Sequence, residues 1–275
     1  MVNTRIKFSN FKPHIVDHAP FKENSAIAVV DLVSETIVDI WPLGARSLDD
    51  KHADLSDKDG GIKMRSHANV SLWLQPDTIA FKTIGGAGYV FIANEGDSKE
   101  EKLRVAKVGG VNGSNFDPEA FPNAMAMMSD AWLGRMNMDP FSGLKNGYDS
   151  SKAWDKQGPY SHIFGYGGRS FSILRASDGT VVFDSSSAFE VIIANHPEAS
   201  KCFNCDRDAN KPDSRSSAAG VEPEAIAVFS LAECTYAAIG LERQSGLMVF
   251  DVTNPKNATF VDYIVNRNFT TTSEC

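Results

Sequence analysis

The sequence predicts an all-β fold: a β-propeller of four-stranded antiparallel blades, partial in this chain, with one helix-containing insertion. Three observations predict it: a repeated hairpin, a second strand motif that recurs beside it, and turn residues that separate the strands. A four-stranded meander of about 40 residues that repeats with the same cues is typical of a propeller blade. A β-sandwich with two similar hairpins is the alternative.

The repeated hairpin occupies residues 75–96 and 222–243, which align without a gap. The aligned pairs are Pro76 with Pro223, Asp77 with Glu224, Ile79 with Ile226, Ala80 with Ala227, Tyr89 with Tyr236, Ile92 with Ile239 and Glu95 with Glu242. Each copy is an apolar strand, a turn of small or polar residues and a second apolar strand. Because the repeat keeps polar as well as apolar positions, it favours the propeller over the sandwich.

The second motif occurs at 24–31 and 244–251, with a looser copy at 169–175. Together the motifs predict the outer half of one blade at 24–43, a blade at 75–185 and a blade at 222–265. The second blade carries the insertion, at about 97–167. Since propellers close with about four or more blades, the chain is expected to be part of a longer one, with 270–275 as a truncated tail.

The insertion predicts one helix and one exposed loop. The helix is expected over 118–133, with Asp117 as its N-cap ahead of Pro118, and its apolar side chains form a packed face. Residues 137–158 are rich in Gly, Asn, Asp and Ser and are expected to be an exposed loop.

Charge and hydropathy exclude several functions. The formal net charge is -8, which argues against nucleic acid as a partner and favours cations or a basic surface. No apolar stretch approaches the roughly 18 residues of a membrane helix, so no transmembrane segment is predicted. The first residues lack the apolar run of a signal peptide.

Several segments together resemble the motifs of a known family. They are residues 24–32, 41–44, 57–62, 76–80, 93–97, 167–172, 182–185, 222–224, 240–243, 246–255 and 263–269. In this order they resemble the choice-of-anchor I domain, whose animal members include the mesenchyme-specific cell-surface glycoproteins. The resemblance covers 24–269, and the family domain extends further at both ends. Residues 1–23 do not resemble the family, and 136–149 depart from its Asp/Gly-rich insertion.

The resemblance implies a secreted or cell-surface protein. Animal members are associated with calcified skeletons and extracellular matrix, which implies matrix or cell-surface proteins, and mineral, as partners. Many bacterial members carry an alkaline phosphatase label. The first hypothesis is therefore a calcium-associated matrix or surface glycoprotein, and the alternative is a metal-dependent phosphoesterase. A docking platform for another protein is the third.

Four carboxylates occupy equivalent positions in the repeat. Asp77 and Glu224 begin the first strand of each hairpin, and Glu95 and Glu242 end the second. In a propeller, the first strand of each blade lines the channel, so the four acids are expected to surround it. Oxygen ligands suit Ca²⁺, which is the cofactor that the sequence predicts. The alternative is that each acid caps a strand or pairs with a neighbouring arginine.

No catalytic motif accompanies these acids. The six histidines show no zinc-site spacing, and Ser185 after Asp184 fits a turn better than a phosphorylated nucleophile. The Asp57-Lys-Asp59-Gly-Gly turn resembles the start of a calcium loop but lacks the distal glutamate. In the phosphoesterase hypothesis, Glu95, Glu242 and Glu224 hold the cation.

Two further sets of residues bear on the compartment. Four sequons predict glycosylation, at Asn69, Asn112, Asn257 and Asn268. Cys202 and Cys205 lie in a loop-like segment and predict a disulfide that staples the loop, with a reduced pair or a metal site as alternatives. Cys234 is the third disulfide candidate, and Cys275 ends the sequence.

Overall fold

The computed structural model describes residues 16–206, 210–265 and 267–269. The tail predicted at 270–275, Cys275 and most of the segment predicted at 1–23 lie outside the described residues. Within these ranges, no helix is long and apolar enough to cross a membrane.

Strands are the main regular structure of the described residues. In chain order they are β1 (Val16–Phe21), β2 (Ala26–Asp31), β3 (Thr36–Pro42), β4 (Ala45–Ser47), β5 (Val70–Trp73), β6 (Pro76–Ile84), β7 (Ala87–Asn94), β8 (Leu103–Arg104), β9 (Asn137–Met138), β10 (Ile163–Tyr166), β11 (Ser170–Arg175), β12 (Val181–Asp184), β13 (Pro223–Leu231), β14 (Cys234–Leu241), β15 (Leu247–Asp251) and β16 (Thr259–Ile264). The α-helices are α1 (Val105–Val108), α2 (Ala124–Met127) and α3 (Ala188–Asn195). Short 3₁₀ helices occur at Lys22–Asn24, Val111–Gly113, Trp154–Lys156 and Ala199–Cys202.

The strands form four sheets. Sheet 1 has the order β1-β2-β3, sheet 2 the order β4-β5-β10-β9-β8, sheet 3 the order β12-β11-β7-β6 and sheet 4 the order β13-β14-β15-β16. All pairs are antiparallel except β5 with β10 in sheet 2. The fold is therefore mostly β. A closed ring of blades is not seen in the described part of the chain, and the propeller stays a prediction.

Both copies of the repeat form β-hairpins in sheets 3 and 4. In the first hairpin, Gly85 and Gly86 have φ of 57° and 82°, the left-handed backbone that a two-residue hairpin turn requires. Each hairpin also begins with a bulge, between Pro76 and Thr78 in β6 and between Pro223 and Ala225 in β13. The bulges leave Asp77 and Glu224 outside the regular strand pairing.

Sheet 3 lies between sheets 1 and 4 because its strand β7 is buried on both faces. Phe91 and Ala93 belong to a core shared with α3 and sheet 4, which includes Phe250. Val90 and Ile92 point the other way, into a core shared with sheet 1. Strand β6 of sheet 3 contacts strand β13 of sheet 4, so the two hairpins lie side by side.

The region between β7 and β11 differs from its sequence prediction. Strand β11 pairs with β7, so the chain leaves sheet 3 after Asn94 and returns to it at Ser170. Between them the chain adds β8, β9 and β10 to sheet 2, which the sequence analysis did not predict. Met138 is buried within the stretch expected to be an exposed loop.

The helix predicted over 118–133 was wrong in its extent. Only Ala124–Met127 is α-helical, and Asp117 does not cap it. Pro122 lies inside the predicted span, where it has no N–H to donate and disfavours helical backbone in the residue before it. The chain therefore makes separate turns on either side of Pro122, with Phe121 N bonded to Asp117 O at 2.8 Å.

Candidate functional site

The ends of the two hairpins bring three glutamates together. Glu95 follows β7 and Glu242 follows β14, as the repeat predicts, and Glu222 precedes β13. One carboxylate oxygen of each lies within 4.8 Å of the other two. We call these three residues the Glu cluster. Its Glu95 and Glu222 line a cavity of about 180 Å³, together with Tyr166, Arg215 and Arg243.

Glu222 occupies the place that the sequence analysis gave to Glu224. Its side chain is 3% exposed, and both of its oxygens are bound: Oε1 accepts from Arg215 Nη2 and Oε2 from Arg243 Nε, the latter at 2.7 Å. Glu224 is half-buried in the β13 bulge and is not a member of the group. The signal that could have found Glu222 is its position before Pro223, equivalent to that of Gln75 before Pro76 in the other hairpin.

The backbone of Glu222 is strained. Its φ is 49°, in the left-handed region, where a residue with a Cβ costs about 1 kcal/mol or more. Glu242 N donates to Glu222 O at 2.9 Å, so this conformation ties the start of one strand to the end of the next. Strain of this kind occurs where the surrounding contacts fix the backbone, often at functional sites.

Lys22 completes one side of the site. Its ammonium group binds Glu95 Oε2 and also Asp77 Oδ1, the latter at 3.3 Å. Asp77 therefore lies at the edge of the site and reaches it through Lys22. Lys22 lies in the 1–23 segment that the sequence analysis placed outside the family resemblance.

The two glutamates from the repeat are held in their neutral form more easily than usual. Burial raises the pKa of Glu95 to about 7, although the bond to Lys22 opposes this. Burial also raises the pKa of Glu242; Arg243 opposes the shift, and the negative charges of Glu222 and Glu224 add to it. A proton or a cation at this point would relieve the repulsion among the carboxylates.

The donors at this site are oxygens. Neither His nor Cys belongs to the carboxylate group, so among the described residues the set fits a hard, oxygen-preferring cation better than zinc. The Tyr166 hydroxyl beside the cavity is buried and has no hydrogen-bond partner in the described part of the chain. A buried hydroxyl without a partner is costly, and a bound ligand or water would satisfy it.

The Asp57-Lys-Asp59-Gly-Gly turn is held by side-chain cations. Asp57 Oδ1 accepts from Arg135 Nε at 2.7 Å, and Lys58 binds its other oxygen. Asp59 Oδ2 accepts from Arg65 Nη2 at 2.9 Å. Asp184 also acts in a turn, since its Oδ1 accepts from Ser186 N at 2.8 Å.

The predicted modification sites differ in exposure. Asn112, Asn257 and Asn268 are exposed, whereas Asn69 is half-buried and its amide donates to Ala120 O at 3.0 Å. Cys202 and Cys205 are joined in a disulfide with a Cα–Cα distance of 5.3 Å. Cys234, the third disulfide candidate, forms no disulfide with another described cysteine.

Comparison with known proteins gives one match. A family model described as the choice-of-anchor I domain matches residues 20–255. This range includes all three members of the Glu cluster. It also includes Lys22, so the prediction that the family resemblance begins only at residue 24 was wrong. No curated protein and no solved structure shows significant similarity to the chain.

Proposed function

This chain belongs to the choice-of-anchor I domain family, and from that premise we propose that it is a calcium-binding matrix or cell-surface protein. Family membership implies a secreted or cell-surface protein. The proposal adds that calcium binds at the Glu cluster and that the protein contacts other matrix or surface proteins, or mineral, through its acidic surface.

The proposal is carried by the convergence of Glu95, Glu222 and Glu242 within 4.8 Å beside a cavity. Calcium accepts six to eight oxygen ligands in flexible geometry, so carboxylates from two hairpins and water could complete its coordination. Glu95 and Glu242 would serve as direct ligands. Glu222, whose oxygens are both bonded to arginines, would position the site and give up one of those bonds if it were also a ligand.

Isothermal titration of the chelator-treated protein with CaCl₂ tests this proposal. The Glu95→Gln and Glu242→Gln variants should each bind calcium at least tenfold more weakly, because a direct ligand contributes no less than an outer-shell partner, whose loss weakens metal binding roughly 10- to 100-fold. Glu224→Gln is the matched control, because Glu224 occupies the equivalent repeat position to Asp77 but lies outside the cluster. Equal calcium affinity in all three variants and the parent would overturn the proposal.

A phosphoesterase is the second candidate, and Arg215 and Arg243 favour it. Both guanidinium groups line the cavity that Glu95 and Glu222 line, and guanidinium forks suit phosphate oxygens. In this version Glu222 replaces Glu224 among the carboxylates that hold the cation. Phosphomonoester hydrolysis should then depend on calcium, stop with chelator and fall in Glu242→Gln. A folded protein without turnover at any calcium concentration would eliminate this candidate.

Two finer proposals concern architecture and modification. We propose that sheets 1, 3 and 4 are consecutive blades of a propeller, which the neighbouring strands β6 and β13 support. We also propose that the exposed Asn112, Asn257 and Asn268 carry glycans and that Asn69, which is half-buried, carries one only if its bond to Ala120 is released. Endoglycosidase treatment of the protein from a secreting host should lower its mass, and an unchanged mass would contradict the glycan proposal.

A further inference from the structure

A second acidic group lies outside the Glu cluster. Asp54 and Asp59 belong to the loop that the Ala53–Arg65 bridge closes, and Asp213 comes from a segment more than a hundred residues later. One carboxylate oxygen of each lies within 4.8 Å of the other two. We call these three residues the Asp cluster.

The carboxylates of the Asp cluster are buried and only partly hydrogen-bonded. Asp54 is fully buried, and its oxygens accept from Ser56 N at 3.3 Å and Lys63 N at 2.6 Å. Asp213 Oδ1 accepts from Ser216 Oγ at 2.5 Å. The Asp59 side chain is 4% exposed. Although its Oδ2 is bonded to Arg65, its Oδ1 is buried and has no hydrogen-bond partner among the residues that the structure describes. A buried carboxylate oxygen without a donor is costly, and a bound cation or water would satisfy it.

The negative charge of the Asp cluster exceeds the positive charge that reaches it. Among the described residues, only Arg65 forms an ion pair with one of its carboxylates. Lys63 Nζ bonds the main-chain carbonyl of Asp59, and Arg169 Nη1 bonds that of Asp54 at 2.6 Å. The charge of Arg169 is itself paired with Glu190 at 2.8 Å. Three carboxylates facing one arginine leave two negative charges, the amount that a divalent cation neutralises.

The Asp cluster also lies where two segments that are distant in sequence meet. Arg169 Nη2 bonds Ser216 O at 2.6 Å and Ala218 O at 2.7 Å, so this arginine joins the segment after Asp213 to the Asp54 loop. Asp213 and Asp54 meet at the same junction. A cation bound to the carboxylates of Asp213 and Asp54 would hold the two segments together, in addition to the Arg169 hydrogen bonds.

We propose that Asp54, Asp59 and Asp213 form a structural calcium site, separate from the Glu cluster, that fastens the Asp54 loop to the Asp213 segment. The ligands are all oxygens, as calcium prefers, and water would complete the coordination. The Asp57-Lys-Asp59 turn thus supplies one ligand of a site whose distal acid is Asp213 rather than a glutamate in the same loop.

Asp213→Asn is the sharpest variant for testing the site. Asp213 has a φ of 68°, a left-handed conformation that asparagine tolerates, and the amide oxygen can still accept from Ser216. The substitution removes the charge and changes little else, so the variant should fold. Asp59→Asn is the second variant, and Asp50→Asn is the control, since the Asp50 side chain is 76% exposed and lies outside the Asp cluster.

The experiment measures calcium affinity by calorimetry and calcium-dependent thermal stabilisation of the full chain after chelator treatment. Asp213→Asn and Asp59→Asn should lose at least tenfold in affinity for this site and most of the thermal stabilisation, while Asp50→Asn keeps both. In the presence of chelator, Asp213→Asn should unfold at or above the temperature of the parent, because one repelling charge is gone. A misfolded variant would instead unfold at a lower temperature with chelator.

The Glu95→Gln variant separates the two acidic groups. It should keep the part of the calcium-dependent stabilisation that Asp213→Asn removes, since Glu95 is not a member of the Asp cluster, and lose only the part that comes from calcium at the Glu cluster. The inference is overturned if the parent shows no calcium-dependent stabilisation. It is also overturned if that stabilisation survives in both Asp213→Asn and Asp59→Asn.

Discussion

The Glu cluster and the Asp cluster each place three carboxylates within 4.8 Å, but their charges are balanced differently. Lys22, Arg215 and Arg243 all form ion pairs with the Glu cluster. Arg65 alone does so with the Asp cluster, among the described residues. The Glu cluster also adjoins a cavity, whereas the Asp cluster holds a buried carboxylate oxygen without a partner.

This difference leads us to expect that a cation would exchange readily at the Glu cluster and would be retained at the Asp cluster. At the Glu cluster, side-chain cations already occupy part of the coordination, so an incoming cation must compete with them and a phosphate group could use them. At the Asp cluster, the carboxylates that lack a positive partner are buried, so a bound cation would be released slowly. The following predictions test this comparison, beginning with the largest expected effect.

Arg169 should matter more to stability than any arginine of the Glu cluster. Its side chain is fully buried with Glu190, so Arg169→Met leaves an unpaired buried charge and should lower the free energy of unfolding by about 3–5 kcal/mol. Arg243→Met should lose less, about 1–2 kcal/mol, because Arg243 is 23% exposed and Arg215 still binds Glu222. Urea unfolding of both variants checks this, and equal losses would contradict it.

The titration of His67 is sensitive to the positive charges beside the Asp cluster. Burial, together with the positive charges of Arg65 and Arg169, lowers the pKa of His67 to about 4. The neutral ring therefore contributes stability in full above pH 6.5, and this contribution, about 3 kcal/mol, is lost as the pH falls from 6.5 towards 4. The free energy of unfolding of His67→Gln should accordingly fall less over this interval. The same decrease in variant and parent would rule out His67 as its source.

Glu222→Gln should destabilise the protein. The substitution gives the second hairpin the residue that the first hairpin has at this position, Gln75. The variant loses a charged acceptor for two arginines, a loss of about 2 kcal/mol. Glu224→Gln, two residues away and half-buried in the bulge, should change stability by no more than about 0.5 kcal/mol. Thermal unfolding of the two variants compares them, and similar values would mean that Glu222 contributes no special contact.

Lys22→Met should have the smallest effect on stability and should make the Glu cluster resemble the Asp cluster. The Lys22 side chain is 25% exposed, so its loss should cost about 1 kcal/mol or less. Calcium affinity at the Glu cluster should rise, because the cation no longer competes with the ammonium group for Glu95. A lower affinity in calorimetric titration would show that Lys22 supports the site instead.

The repeat in the sequence located much of the fold and part of the site. It identified the two hairpins, and it placed Glu95 and Glu242 at equivalent ends, which the structure brings together. It gave Glu224 where the structure has Glu222, because a bulge at the start of β13 separates Glu224 from the regular pairing. The helix expected over 118–133 is only one turn long in the structure, because Pro122 interrupts the apolar pattern that predicted it.

By itself the sequence determined the two hairpins, the strands beside them in sheets 3 and 4 and the family, because these depend on local alternation, turn residues and motifs that lie close together in the chain. Only the tertiary structure decided which charges meet. Asp59 finds Asp213, and Glu95 finds Lys22, across distances in sequence that no local pattern records. Burial then decided the rest, since the cost of an uncompensated carboxylate depends on the neighbours that the fold supplies.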